Sequence, residues 1–311
     1  MSNRTLSLVA LLLGGFLCMA GNGSPHVTDR ADSHILFDDF NYRNHEDLAK
    51  HGWIVRTAPG WPGLPDATWR KEGVSFHDDP DHPGNRIIRM TSFTDGIGAD
   101  TQQSQICHER KYKEGTYAAR VRFSDRPVSG PDGDQIVESF YAISPLKAPM
   151  DPDYSELDFE YLPHGGWGKN GPTLWVTSWF TFSPEPNWKQ ENTSDSVGGS
   201  KGGWHTLVTQ VANGEVKYFI DGTLLGQHNG RYYPRSLMSI NFNLWFIKDG
   251  AVKSHEVRRY TEEIDWVFFE QNEALSPEQV ESKVVALRQA GTKFFDNVPA
   301  PVPRLSSPCD F

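Results

Sequence analysis

The run Glu156-Leu157-Asp158-Phe159-Glu160 constrains this chain more than any other five residues in it. Side chains alternate between the two faces of a β-strand. As a strand, the run turns three carboxylates to one face and sends Leu157 and Phe159 into a core on the other. Tyr154 precedes the acids on their own face and offers a ring to a ligand. One reading is a half-exposed strand with a solvated acidic face. Yet three like charges in a row repel and add nothing to stability. The other reading is chemistry. Two Glu across a sugar–sugar bond are the working parts of most glycosidases, and the middle Asp can orient one of them. That reading makes a geometric demand. Cα atoms four residues apart on a flat strand lie about 13 Å apart. A retaining glycosidase holds its carboxyl groups about 5–5.5 Å apart, an inverting one roughly 6.5–9.5 Å. The two Glu side chains converge only over a concave, strongly bent sheet, so the motif needs a curved β-sandwich around it.

The rest of the chain supplies the strands for one. Between residues 35 and 270, short alternating stretches are separated by turn signals. They include Arg86–Thr91, Thr116–Phe123, Ile136–Ile143, Leu174–Phe182, His205–Val211, Leu237–Phe246 and Ile264–Phe269. Asn213-Gly214 is a strong hairpin signal and Asp221-Gly222 turns the chain again. Pro and Gly cluster in the connections, as in Pro59–Pro65 and Gly165–Pro172. This is the pattern of an antiparallel sandwich and not of alternating βα units. One helix stands out near the end: Ser276-Pro277-Glu278-Gln279 combines an N-cap, a Pro at the first helical position and a capping-box Gln. Val280, Val284 and Leu287 share its face, and Gly291 sits where it stops.

A formal net charge of -10 and a pI near 5.5 argue against binding nucleic acid or an anionic membrane through bulk charge. Residues 1–20 read as a secretory signal, with Arg4 followed by a short apolar stretch from Leu6 to Leu17. A lipoprotein anchor at Cys18 is the alternative. The expected organisation is a signal peptide (1–20), a flexible segment (21–34), a β-sandwich (35–272) and a C-terminal helix with a Pro-rich tail (273–311). A secreted, extracellular monomer follows, with no membrane contact once the signal is removed. In an oxidising compartment Cys107 and Cys309 either pair, tying the tail to the body, or remain free thiols. Asn192-Thr193-Ser194 fits an N-glycan acceptor. Gly198–Gly202 matches G-x-S-x-G but lies in a loop, where a nucleophile elbow does not form. Among aromatics, Trp175 and Trp179 share one face of their strand. Asn241, Asn243 and Trp245 share one face of theirs, opposite Ile240, Phe242 and Leu244. A face of polar residues and Trp suits a sugar-binding cleft as well as a satisfied core. Trp53, Trp61, Trp167 and Trp188 sit near loops and are candidates for its rim.

Tyr154-Ser155-Glu156-Leu157-Asp158-Phe159-Glu160-Tyr161-Leu162 resembles the E-x-D-x-E signature of glycoside hydrolase family 16, the lichenase and laminarinase group. Tyr112–Arg120, Val137–Tyr141, Trp204-His205-Thr206, Tyr218–Gly222 and Asn243-Leu244-Trp245 resemble further landmarks of that family, in order, over residues 36 to 270. The resemblance implies a concanavalin A-like β-jelly-roll of two curved antiparallel sheets with a glycan cleft. It makes Glu156 the nucleophile, Asp158 its assistant and Glu160 the acid/base. It implies a retaining endo-β-glycosidase acting on a polysaccharide, β-glucan foremost, with no cofactor required. A cell-wall transglycosylase using the same intermediate and a non-catalytic glycan-binding lectin are the alternatives. Trp179, Trp245, Asn243, Arg120, Tyr154 and Trp175 become the candidate substrate-binding residues. Ala118 stands where the family carries a sugar-bonding Glu. A structural calcium on the convex face of relatives has Asp265 as its matching position.

Overall fold

The alternating stretches form strands. The computed structural model describes Met1, residues 33–307 and Cys309. Apart from Met1, the expected signal peptide, with Cys18, and the segment following it to residue 32 lie outside the described residues. In chain order the strands are β1 (Ile35–Asp38), β2 (Ile54–Val55), β3 (Thr68–Trp69), β4 (Val74–Asp78), β5 (Arg86–Thr94), β6 (Gln102–Cys107), β7 (Gly115–Phe123), β8 (Ile136–Ile143) and β9 (Glu156–Leu162). They continue as β10 (Thr173–Ser183), β11 (Lys189–Gly198), β12 (Gly203–Ala212), β13 (Glu215–Ile220), β14 (Thr223–Asn229), β15 (Ser239–Phe246), β16 (Arg258–Gln271) and β17 (Phe294–Asp296). The helices are α1 (His45–Lys50) and α2 (Pro277–Gln289).

Two curved antiparallel sheets pack face to face as a jelly-roll sandwich. The concave sheet runs β11-β10-β9-β8-β15-β6-β2. The outer sheet runs β14-β13-β12-β7-β16, and β16 then pairs with β5 along its first half and with β1 near its end. Between the sheets lies one large core. Leu157 and Phe159 enter it from β9 and meet Phe140, Phe242 and Tyr218. Asn213 and Gly214 both take positive φ, 55° and 77°, as a two-residue hairpin turn that matches strand twist demands.

α2 starts where the sequence predicts it. Ser276 accepts from the Gln279 amide while the Gln279 side chain reaches back to the Ser276 N–H. Its face of Val280 and Val284, with Leu275, covers a second apolar cluster on the outside of the outer sheet. The tail then adds β17 alongside β1, and Cys107 on β6 is disulfide-bonded to Cys309 with Cα atoms 5.6 Å apart. Among the described residues no helix is long and apolar enough to cross a membrane.

Candidate active site

β9 lies in the middle of the concave sheet, and its register aligns the site row by row. Glu156 lies between Ile143 on β8 and Trp179 on β10, Asp158 between Tyr141 and Thr177, and Glu160 between Ser139 and Trp175. One strand further, Asn241 pairs with Tyr141, Asn243 with Ser139, and Trp245 with Val137. The same two-residue period that buries Leu157 and Phe159 therefore gathers acids, indoles and amides on one face. Glu156 and Glu160 keep part of their surface open, and Asp158 is 3% exposed.

The three acids are held differently. The Tyr154 hydroxyl donates to Glu156 Oε2 at 2.5 Å. The Trp179 indole N–H donates to Asp158 Oδ2 at 2.8 Å. Burial above all, and then the charges of Glu156 and Glu160, push the Asp158 carboxyl well above the usual carboxylate range. A hydrogen bond between the Asp158 and Glu156 carboxyls favours the proton on Asp158 and the charge on Glu156. Burial raises Glu156 to about 7, while the Tyr154 and Asp158 hydrogen bonds hold it down. Burial and the Glu156 charge raise Glu160 to about 8, and no hydrogen bond to its carboxyl counters them. Crowded carboxylates cannot all ionise, so this cluster keeps a proton near neutrality.

The polar floor continues toward β6. Ser139 Oγ donates to Asn243 Oδ1 at 2.5 Å. Gln105 donates to the Tyr141 hydroxyl at 2.9 Å and accepts from the buried Arg56 guanidinium at 2.9 Å. Trp245 is buried on this face with Trp69, Val137 and Leu162, and Trp175 packs beside them with its Nε1 left without a protein acceptor. Trp61, Trp167 and Trp188 stand at the rim, 56%, 45% and 41% exposed. Arg56, Ser139, Tyr141, Gln105 and Phe182 are the lining residues that sequence reasoning missed. The alternation of Gln103, Gln105 and Cys107 along β6 was the available signal for that strand.

Several expected residues lie elsewhere. Arg120 is on β7, in the outer sheet. Tyr117, Ala119 and Val121 take the core side of that strand, so Arg120 faces outward and pairs with Asp265 at 2.8 Å. Ala118 shares that outer face and is fully buried under α2 with Phe37, Val208 and Trp266, so it faces no glycan cleft. Asp265 has guanidinium groups where a calcium ion was expected: Arg288 donates to it at 2.6 Å as well as Arg120, and Asn85 at 2.7 Å. Among the described residues no cluster of three or more His, Cys, Asp or Glu could hold a metal. Tyr154 is only 1% exposed, so it serves the site through its hydroxyl and not as a sugar platform. Trp53 is a core residue whose indole donates to Asp38 at 2.8 Å. Asn192, on β11, lies opposite Trp179. Ser200, in the G-x-S-x-G loop, bonds to Asp125.

The chain matches no known protein-family profile and no curated protein sequence. Solved structures do resemble it in fold. A Bacillus licheniformis β-glucanase is 17% identical with a TM-score of 0.52, over 76% of this chain and 97% of that one. A glycoside hydrolase family 16 endo-glucanase from Bacteroides ovatus, in complex with G4G3G-2F-DNP, is 18% identical with a TM-score of 0.56, over 74% and 98%. LamAcat from Zobellia galactanivorans is 13% identical with a TM-score of 0.54, over 77% and 98%. At these identities the likeness is one of fold: this chain has the curved sandwich of those glycosidases.

Proposed function

We propose that the chain is a retaining β-glycosidase that hydrolyses a β-linked polysaccharide, β-glucan being the substrate class, by double displacement. The observation that carries this reading is the unequal treatment of two glutamates on one strand. Glu156 receives hydrogen bonds from Tyr154 and Asp158, which favour its carboxylate. Glu160 receives none and holds its proton to about 8. In the first step Glu156 attacks the anomeric carbon while Glu160 gives its proton to the departing glycosidic oxygen. In the second step Glu160, now a carboxylate, takes a proton from water whose oxygen displaces Glu156 from the same carbon. Two inversions leave the configuration retained. Asp158 touches Glu156 throughout, and Trp179 fixes Asp158 in place.

The surrounding surface suits a sugar. Indoles present flat apolar faces to a pyranose ring, and Asn243 lies on the same concave face. Similar folds carrying the names β-glucanase and endo-glucanase favour β-glucan over other polymers. Secretion as a monomer without a cofactor belongs to the same proposal, and the Cys107–Cys309 bond suits an oxidising compartment.

The test is a reducing-sugar screen over lichenan, laminarin, xyloglucan, agarose and chitin oligomers, followed by Glu156→Gln and Glu160→Gln. Each substitution keeps shape and removes the ionisable group, so each should abolish turnover while the melting temperature holds. Azide added to small-residue variants assigns the roles. Retained product is expected from Glu160→Ala and inverted product from Glu156→Ala. The opposite pattern reverses the assignment, and full activity in either Gln variant defeats the mechanism.

A further inference from the structure

We infer that the site is a pocket for a chain end and not a groove for the interior of a polymer, with Trp61 as the residue that closes it. This rests on the proposed glycosidase reading and departs from the endo-type cleavage expected of an open concave face. The evidence is a pair of ring contacts. Trp61 lies 6.4 Å from Trp245 and 5.8 Å from Phe182 between ring centroids. Trp245 is on β15 and Phe182 on β10, and the strands between them are β8 and β9. Trp245 is also at the Val137 and Leu162 end of the face, whereas Phe182 lies beyond Trp179 at the other end. Trp61 therefore bridges rings on two strands, β15 and β10, that flank β8 and the acid-bearing β9. A polymer laid along the strands or across them meets this bar.

A second indole completes the enclosure. Trp167 lies 6.3 Å from Trp175 and 6.4 Å from Trp245. Trp179 lies 5.8 Å from Phe182. Six aromatic rings thus surround the opening above Glu156 and Glu160, broken only between Trp175 and Trp179 on their shared strand.

The bar is built to stay in place. Three successive carbonyls of its loop are each taken by a side chain from the concave face. Trp69 Nε1 donates to Gly60 O at 3.0 Å, Arg56 to Trp61 O at 3.1 Å, and Gln103 to Pro62 O at 3.1 Å. Arg56 is fully buried and stacks on Trp69 with 4.2 Å from its guanidinium carbon to the ring. Gly63 takes φ +117°, and a Cβ there would lie 2.0 Å from the Gln103 amide oxygen. Such clamps hold a loop against the sheet, while Trp61 itself remains 56% exposed. An exposed indole at a pocket mouth gains most when a ligand covers it.

The experiment compares linear and cyclic β-glucans of one linkage, using the whole protein. A linear chain offers ends and a cyclic one does not. The wild type should release short oligosaccharides from the linear polymer, with little fall in viscosity per reducing end formed, and leave the cyclic glucan intact. Trp61→Ala should keep its melting temperature, since the indole is mostly exposed, and should cut the cyclic glucan. It should also lower viscosity several-fold more per reducing end. If the wild type cuts cyclic and linear glucan alike, the pocket inference is wrong and the glycosidase reading stands. If neither protein cuts any β-glucan, the proposed function fails and takes the pocket inference with it.

Discussion

Tyr154→Phe is the sharpest probe of how the site divides its protons. The ring sits in a packed cluster with Tyr141, Ile143 and Phe182, so Phe preserves nearly all of its contacts. Only the hydroxyl is lost, and with it the 2.5 Å bond to Glu156. That length is in the range of strong O–H···O⁻ bonds. A hydrogen bond to a charged group contributes about 1.5–3 kcal/mol, and one pH unit in an ionisation corresponds to about 1.4 kcal/mol. Losing it should raise the pH at which Glu156 ionises by roughly one to two units. In the wild type Glu156 is held at about 7 and Glu160 at about 8, so the working form, with Glu156 charged and Glu160 protonated, is the favoured one. The substitution removes or reverses that order. The acid limb of kcat/KM, which reports the carboxylate cluster as a whole, should move to higher pH by the same interval. Near pH 6 the loss should be about 10- to 100-fold, easing as pH rises, with little change in melting temperature. An acid limb that stays in place, at any overall rate, would refute the claim that Tyr154 stabilises the Glu156 charge.

Two stability predictions rest on groups away from the chemistry. Ala118→Glu places a carboxylate in a fully buried site beneath α2. It should cost several kcal/mol, about 3 or more, read as a drop in denaturant midpoint, while the order of preferred polysaccharides stays the same; a changed order would put β7 back in contact with substrate. Glu262 is fully buried between the sheets, and burial followed by the charge of Glu138 holds its carboxyl well above the ordinary range. The folded state then keeps a proton that the unfolded chain has lost, so stability falls as pH rises from the ordinary carboxylate range through the raised one. Glu262→Gln should therefore gain on the wild type in urea midpoint as pH rises above about 4; parallel curves would defeat this.

The strands that face core on one side and cleft or water on the other were legible in the sequence. β8 appears with the expected bounds, and the stretch expected at Thr116–Phe123 appears as β7 with one more residue. β11 was not legible. Lys189–Gly198 is almost wholly polar because it is an edge strand paired on one side only and largely exposed. The site's acids were legible because Leu157 and Phe159 fix their phase. The phase of β7 was not: Tyr117, Ala118 and Ala119 are apolar in succession, since the core lies on one side and α2 on the other. The resemblance placed Arg120 and Ala118 at the cleft, and a strand buried on both faces offered no pattern to oppose it. Trp53 was misleading for another reason: its neighbours in sequence read as loop, while Asp38, fifteen residues earlier on β1, draws its N–H inward.

The long strand β16 has a consequence for how the chain folds. It pairs with β5, β7 and β1, and all three of those strands come from the first hundred described residues. Phe37 pairs with Phe268, from near opposite ends of the described sandwich. Contacts that join such distant segments pay their loop-closure entropy before any pairing rewards it, which slows folding in β-proteins. Until β16 docks, β5, β7 and β1 each present an open row of backbone donors and acceptors, the kind of edge to which another chain can add. The step that closes the outer sheet is therefore also the step that covers these three open edges.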